Sequence, residues 1–179
     1  RIVRPPLSSP TARPRRAPLL PDAELPSLET PGALAAWLGL APSHLDWLAA
    51  LRGGERGAGP GPLRHYHWEI RAKPGGGARV LESPKARLKA IQGRIYRDLL
   101  QFIPVHPAAH GFVRRRSALT AARMHSARAV VVRFDLEDFF ASIPAPRIFG
   151  LFSALGFPER TAHLLTGLCT TVTPPHVLA

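Results

Sequence analysis

At 179 residues the chain has room for one full domain, or for one domain and part of another. No apolar run reaches the length of a membrane span, the start lacks a signal-peptide core, and a single cysteine, Cys169, excludes an intrachain disulfide framework and an all-cysteine metal site. Lys plus Arg number 24 against 12 Asp plus Glu, a net charge of +12 with a pI near 11.5, which points to a polyanionic partner, nucleic acid above all. The competing account is an arginine-favouring genome, since arginine far outnumbers lysine. A cytoplasmic location with no membrane partner fits these features best, and a start on Arg rather than Met suggests a missing beginning.

Residues 1–31 carry proline too often for helix or sheet, with Arg13, Arg15 and Arg16 among the prolines, and read as an extended or disordered leader. Residues 32–54 read as a small helical module. "GALAAWLGL" sets Leu34, Trp37 and Leu38 on one face, "APSH" breaks it, and "LDWLAAL" starts a second helix before Gly53 and Gly54. A DNA-reading helix-turn-helix is a poor match, because the second helix is short, apolar and without polar side chains to meet base edges. "ERGAGPGPL", residues 55–63, is a Gly/Pro linker.

"RHYHWEIRAK" then alternates, with Tyr66, Trp68 and Ile70 on one face and His65, His67, Glu69 and Arg71 on the other. "PGGG" turns and "ARVLES" returns, which predicts a β-hairpin over 64–83 with Lys73 and Arg79 at the two ends of the turn. "SPKARLKAIQGRIYRDLLQFIP" is the clearest helix. Ser83 is the expected N-cap, Pro84 the first helical residue, Pro104 the stop, and Leu88, Ile91, Ile95, Leu99 and Phe102 the buried stripe. Lys85, Arg87, Lys89, Arg94 and Arg97 cover much of the rest, a solvated face or one turned to phosphates. "VHPAAHGF" starts a loop in which Gly111 permits a tight backbone; Arg114 to Arg116 follow, and a helix is expected from Ser117. His106, His110 and His125 lack the spacing of a zinc site.

Ala129 to Asp135, "AVVVRFD", is apolar on both faces and predicts a central strand. Its carboxylate sits at the strand end, where a hard cation can be held without burying an unpaired charge. Asp135 and the backbone carbonyl of Leu136 suit Mg²⁺, which takes few carboxylates and completes its shell with water and phosphate oxygens. Taken alone, Asp-x-x-Asp is met as well by an acidic first turn at a helix N-terminus. "PAPRIFGLFSALG" and "PERTAHLLTGLCTTV" read as two further helices, the first closed by Gly156, with Cys169 on an apolar stripe.

Taken together, "RVLESPKARLKAIQGRIYRDLLQFIPVHPAAHGFVRRRSALTAARMHSARAVVVRFDLEDFFASI" closely resembles the front half of bacterial reverse transcriptases. The retron type is nearest, with the group II intron enzymes next. A basic fingers hairpin, a helix of the kind "P…LK.IQ…I…LL", a segment like "AHGF…RS…NA..H" and the first palm motif "DL.DFF.SI" follow in the family's order from about residue 64 to 170. His125 matches the histidine of the third pattern, while Ala121 stands where the family has asparagine.

The resemblance implies an α+β chain with part of the polymerase right-hand fold: fingers over 64–127 and the start of the palm over 128–179. It implies an RNA-directed DNA polymerase of the retron kind that works by Mg²⁺-dependent nucleotidyl transfer on an RNA template. Asp135 would be the first catalytic carboxylate and, with the Leu136 carbonyl, a metal ligand. Phe140 would pack on the incoming sugar and disfavour a 2′-hydroxyl; Glu137, Asp138 and Phe139 would offer backbone N–H groups to the nucleotide phosphates. Lys73 and Arg79 would clamp the triphosphate, and Gly111, Arg114, Arg116 and Ser117 would meet template or primer backbone.

Partners implied are an RNA template and primer, dNTP and the DNA product, with a retron non-coding RNA and an effector protein in antiviral defence as further candidates. The family's Tyr-x-Asp-Asp hairpin and the "LPQG"-like loop before it do not occur in these residues. The expectation is therefore a truncated enzyme that is inactive alone, its two-ion Mg²⁺ site completed by residues outside this chain. The rival reading is a non-catalytic nucleic-acid-binding protein on a truncated polymerase scaffold.

Overall fold

Six α-helices and one β-hairpin make up the computed structural model, which describes residues 25–49, 64–136, 138–173 and Val177. The expected linker over 55–63, residues 1–24 of the leader, and Gly53 and Gly54 lie outside the described residues. Among the described residues no helix is long and apolar enough to cross a membrane.

Helix α1 (Pro31–Leu38) is capped by Thr30, whose Oγ1 accepts from the Ala33 N–H at 3.1 Å, and closed by Gly39 at φ +68. α2 (Pro42–Leu48) follows after a short turn. Each starts on a proline, where the missing N–H is one that the first helical turn leaves unpaired anyway. Both rest on α6 (Glu159–Cys169), which also packs against α3 (Ala86–Asp98) and α5 (Ala145–Ala154). Thr161, Ala162, Leu164, Leu165, Thr166 and Leu168 are all buried, so α6 is covered nearly all round.

Its buried hydroxyls are satisfied by backbone carbonyls: Thr161 Oγ1 donates to Leu28 O at 2.9 Å and Thr166 Oγ1 to Ala162 O at 2.7 Å. The first of these bonds holds the end of the Pro-rich segment, where Leu28 is buried. Leu34, Leu45, Leu88, Ile95, Leu99, Phe152, Leu165 and Leu168 complete the core, each contributing about 1.5–3 kcal/mol through removal from water. α6 comes close to the end of α2 at Gly167, where an added methyl would overlap the Ala49 carbonyl oxygen.

Strands β1 (Tyr66–Ala72) and β2 (Ala78–Pro84) pair antiparallel from Tyr66↔Pro84 to Ala72↔Ala78, as the alternation predicts. The turn is closed by Gly76 N–H to Lys73 O and Lys73 N–H to Gly77 O, each 3.0 Å, with positive φ at Gly76 and Gly77. Only the base of the hairpin joins the core: Tyr66 is buried, Trp68 half-buried, and Ile70 exposed.

The structure corrects three expectations. α3 starts at Ala86, not Pro84, and its cap position Lys85 makes no side-chain capping bond. Ser83 and Pro84 instead belong to β2, and the Lys85 N–H extends the pairing to His65 O at 2.8 Å. Phe102 is 52% exposed rather than buried, because the chain leaves the α-helix at Asp98 and tightens into a 3₁₀ turn over Leu100–Phe102, which breaks the spacing of the stripe.

The third correction is the largest. Residues 129–135 form no strand; they run irregularly with Val130 77% and Phe134 86% exposed. A central strand needs neighbours for its N–H and C=O groups, and the described sheet holds only β1 and β2. The acidic helix start does not form there either. Asp138 to Ser142 make one turn, closed by Ser142 N–H to Asp138 O at 2.9 Å.

Candidate active site

Three groups of the expected residues can be placed. The first is the hairpin tip. Period-2 alternation sets Glu69 and Arg71 on one face of β1, and the register brings Arg79 directly opposite Arg71, while Lys73 lies one residue past the strand end, in the turn. Arg71 and Arg79 therefore share one face, away from Tyr66 and Trp68. Arg71 Nε donates to Glu69 Oε1 at 2.8 Å and its Nη2 to Oε2 at 3.4 Å. That hydrogen bond first, and the carboxylate charge second, raise the Arg71 pKa above its ordinary value. Two guanidinium groups and one carboxylate thus share an exposed face, with Lys73 in the adjoining turn, a cationic excess that suits a polyphosphate.

The second group is the loop from His106 to Ser117. Arg116 Nη1 donates to the carbonyl oxygens of His106 at 2.8 Å, of Pro107 at 3.1 Å, and of Ala109. One face of its guanidinium therefore organises the loop, while Arg114 stands exposed. The left-handed backbone falls at Phe112 (φ 58), next to Gly111, and at Arg115 (φ 62), rather than on Gly111 itself. Ser117 caps α4 (Ala118–Arg123) as expected. Its Oγ accepts from Thr120 N–H at 3.3 Å, and Thr120 Oγ1 accepts from Ser117 N–H at 2.8 Å. His110 ties the loop to this helix through Thr120 Oγ1 at 2.8 Å and Met124 Sδ at 2.9 Å.

The third group is the segment from Asp135 to Phe140. Asp135 and Leu136 are exposed, Asp138 has φ 47, and Glu137 lies outside the described residues. The Phe140 ring meets Phe139 at 5.6 Å and Phe112 at 6.1 Å, both edge-on. Phe112 thus brings the basic loop to the carboxylate segment, a link that no local pattern signals. No hydrogen bond, ion pair or ring contact joins the hairpin tip to either group among the described residues. Asp135 and the Leu136 carbonyl are oxygen donors, the class that Mg²⁺ takes, but among the described residues no group of three potential ligands forms.

Elsewhere, expected and observed roles separate. On α3, Arg94 lies over the Trp37 ring at 4.9 Å and pairs with Asp98 at 3.4 Å, and Arg87 reaches His44, so part of the basic face is tied to the scaffold. Cys169 is desolvated by burial, which pushes its thiol up to about 12, a packing residue rather than a nucleophile. Sequence reasoning missed Arg71 as a member of the tip cluster. Its place opposite Arg79 in a full hairpin register supplies the signal.

No protein-family model matches the chain. Among curated proteins, it is 40% identical to the retron Mx65 reverse transcriptase of Myxococcus xanthus over 158 residues, 85% of this chain and 36% of that protein. It is 42% identical to the retron Mx162 reverse transcriptase of the same organism over 147 residues, 82% of this chain and 29% of that protein. The retron Ec86 reverse transcriptase of Escherichia coli is 35% identical over 91 residues, 51% of this chain and 28% of that protein. The chain thus spans about a third of the length of the curated relatives it matches.

Proposed function

Because this chain belongs to the retron reverse-transcriptase family, we propose that it forms the fingers and the first palm motif of an RNA-directed DNA polymerase with the right-hand fold. The observation that carries this reading is the 40% identity to the Mx65 enzyme across 85% of the chain, a span that includes most of the motifs. The boundaries are fingers over 64–127 and palm from 128, after a small helical module over 32–54.

Each residue group then has a task in nucleotidyl transfer. Lys73 and Arg79 bind the triphosphate of the incoming dNTP, where a cation lowers the cost of the charge that builds as pyrophosphate leaves. Asp135 and the Leu136 carbonyl hold Mg²⁺ with carboxylates from outside this chain; the bound ions supply activation of the primer 3′-hydroxyl and charge neutralisation. Backbone N–H groups of Glu137, Asp138 and Phe139 meet the nucleotide phosphates. Phe140 excludes the 2′-hydroxyl by its bulk. Gly111, Arg114, Arg116 and Ser117 hold template or primer backbone, with Arg116 also fixing its own loop.

The test is primer extension on poly(rA)/oligo(dT) by the intact protein and its Asp135→Ala variant. Mg²⁺-dependent synthesis lost in the variant upholds the reading, and equal activity in both removes Asp135 from the site. Steeply salt-dependent RNA binding without any synthesis marks a non-catalytic nucleic-acid-binding protein instead.

A further inference from the structure

We infer that Gln92 is a positioning residue, which fixes the base of the fingers hairpin to the end of α6 and so sets where the hairpin cations stand. Its Nε2 donates to Tyr66 Oη at 2.8 Å and to the Leu168 carbonyl at 2.9 Å. A side-chain amide has two N–H donors, and both are used here on partners 26 and 76 residues away in the chain. Leu168 lies in the last turn of α6, where carbonyls have no intrahelical donor. Gln92 therefore satisfies an otherwise orphaned acceptor while it holds the tyrosine.

A second tie runs parallel to the first. Glu82 Oε1 accepts from Trp68 Nε1 at 3.2 Å and from the Thr173 hydroxyl. Tyr66, Trp68 and Glu82 occupy one hairpin face and Arg71 and Arg79 the other. The face that meets the protein is thus laced to residues 168–173, and the cationic face is left outward. α6 itself is fixed by the Thr161–Leu28 bond and the close approach of Gly167 to Ala49.

The strand end at Ala72 lies six positions beyond Tyr66, a lever of about 20 Å. A tilt of about 5° at the base would then move the tip by about 2 Å, from the same strand rise. Misplacement on that scale is enough to spoil a phosphate contact. The consequence for nucleotide binding rests on the polymerase reading above, whereas the tie itself does not.

The experiment compares Gln92→Leu, Tyr66→Phe and the double variant in the intact protein. Two readouts are taken: KM and kcat for dTTP on poly(rA)/oligo(dT), and hydrogen exchange of hairpin amides against those of α5. Gln92→Leu should raise KM about fivefold, the equivalent of one net hydrogen bond, with kcat unchanged. Hairpin amides should exchange faster while those of α5 do not change. Tyr66→Phe should shift KM in the same direction, and the double variant should be no worse than Gln92→Leu, since the two share a bond. If Gln92→Leu fails to fold, Tyr66→Phe alone carries the comparison. Unchanged KM, or additive effects in the double variant, overturns the inference. If the wild-type protein makes no DNA, the polymerase reading fails separately, and hairpin exchange decides the tie: faster exchange upholds it and unchanged exchange overturns it.

Discussion

Arg71 and Arg79 stand directly opposite each other across the hairpin, and Glu69 is bonded to Arg71. Like charges facing across a strand pair repel, so the carboxylate screens the pair and keeps Arg71 turned along its own strand. Glu69→Gln should free Arg71 for phosphate, lower the KM for dNTP and make it rise more steeply with salt. Arg79→Ala should raise that KM about tenfold or more, the scale of one hydrogen bond to a charged group. Steady-state kinetics at several salt concentrations test both. Weaker nucleotide binding in Glu69→Gln would show that Arg71 does not face the triphosphate.

Gly167→Ala places a methyl on the Ala49 carbonyl oxygen, which is backbone and cannot swing aside. The expected cost is about 1–3 kcal/mol, typical of overpacking in a filled core. Gly150→Ala in α5 is the matched control, since nothing lies within 4 Å of the added carbon and the helix gains about 0.5–1 kcal/mol from the exchange. Urea titration should move the two midpoints in opposite directions. A Gly167→Ala midpoint equal to wild type would mean that α2 does not dock on α6 in this way.

Where the determinants were local, the sequence was legible. Alternation from Tyr66 and the "PGGG" turn yield the hairpin, and apolar spacing yields α1, α3, α5 and α6. Pro84 misleads for a physical reason: a proline suits a helix start and equally a strand end where no N–H has to be donated, and the register with Tyr66 puts it in β2. Residues 129–135 show the opposite limit. β-branched residues express a preference for extended backbone, but a strand exists only where another strand meets it, and that information is not local. Gln92 was invisible for the same reason, as a polar residue beside a buried stripe whose two acceptors lie far away in the chain. The tip cluster was half legible: Lys73 and Arg79 follow from the turn, while Arg71 requires the register.

Cys169 gives a pH prediction whose sign follows from burial alone. Desolvation pushes its thiol from 9.0 up to about 12 in the folded protein, while the unfolded chain keeps the ordinary value. Below about pH 8 the thiol is protonated in both states, so its contribution does not vary there. As pH rises from 9 towards about 12, the unfolded state releases its proton first, and stability falls. Cys169→Ala should remove that component, so the difference in unfolding free energy between wild type and variant should be flat to about pH 8 and then change steadily. The raised pKa keeps the thiolate scarce, so iodoacetamide should label the folded protein more slowly than the unfolded chain at neutral pH.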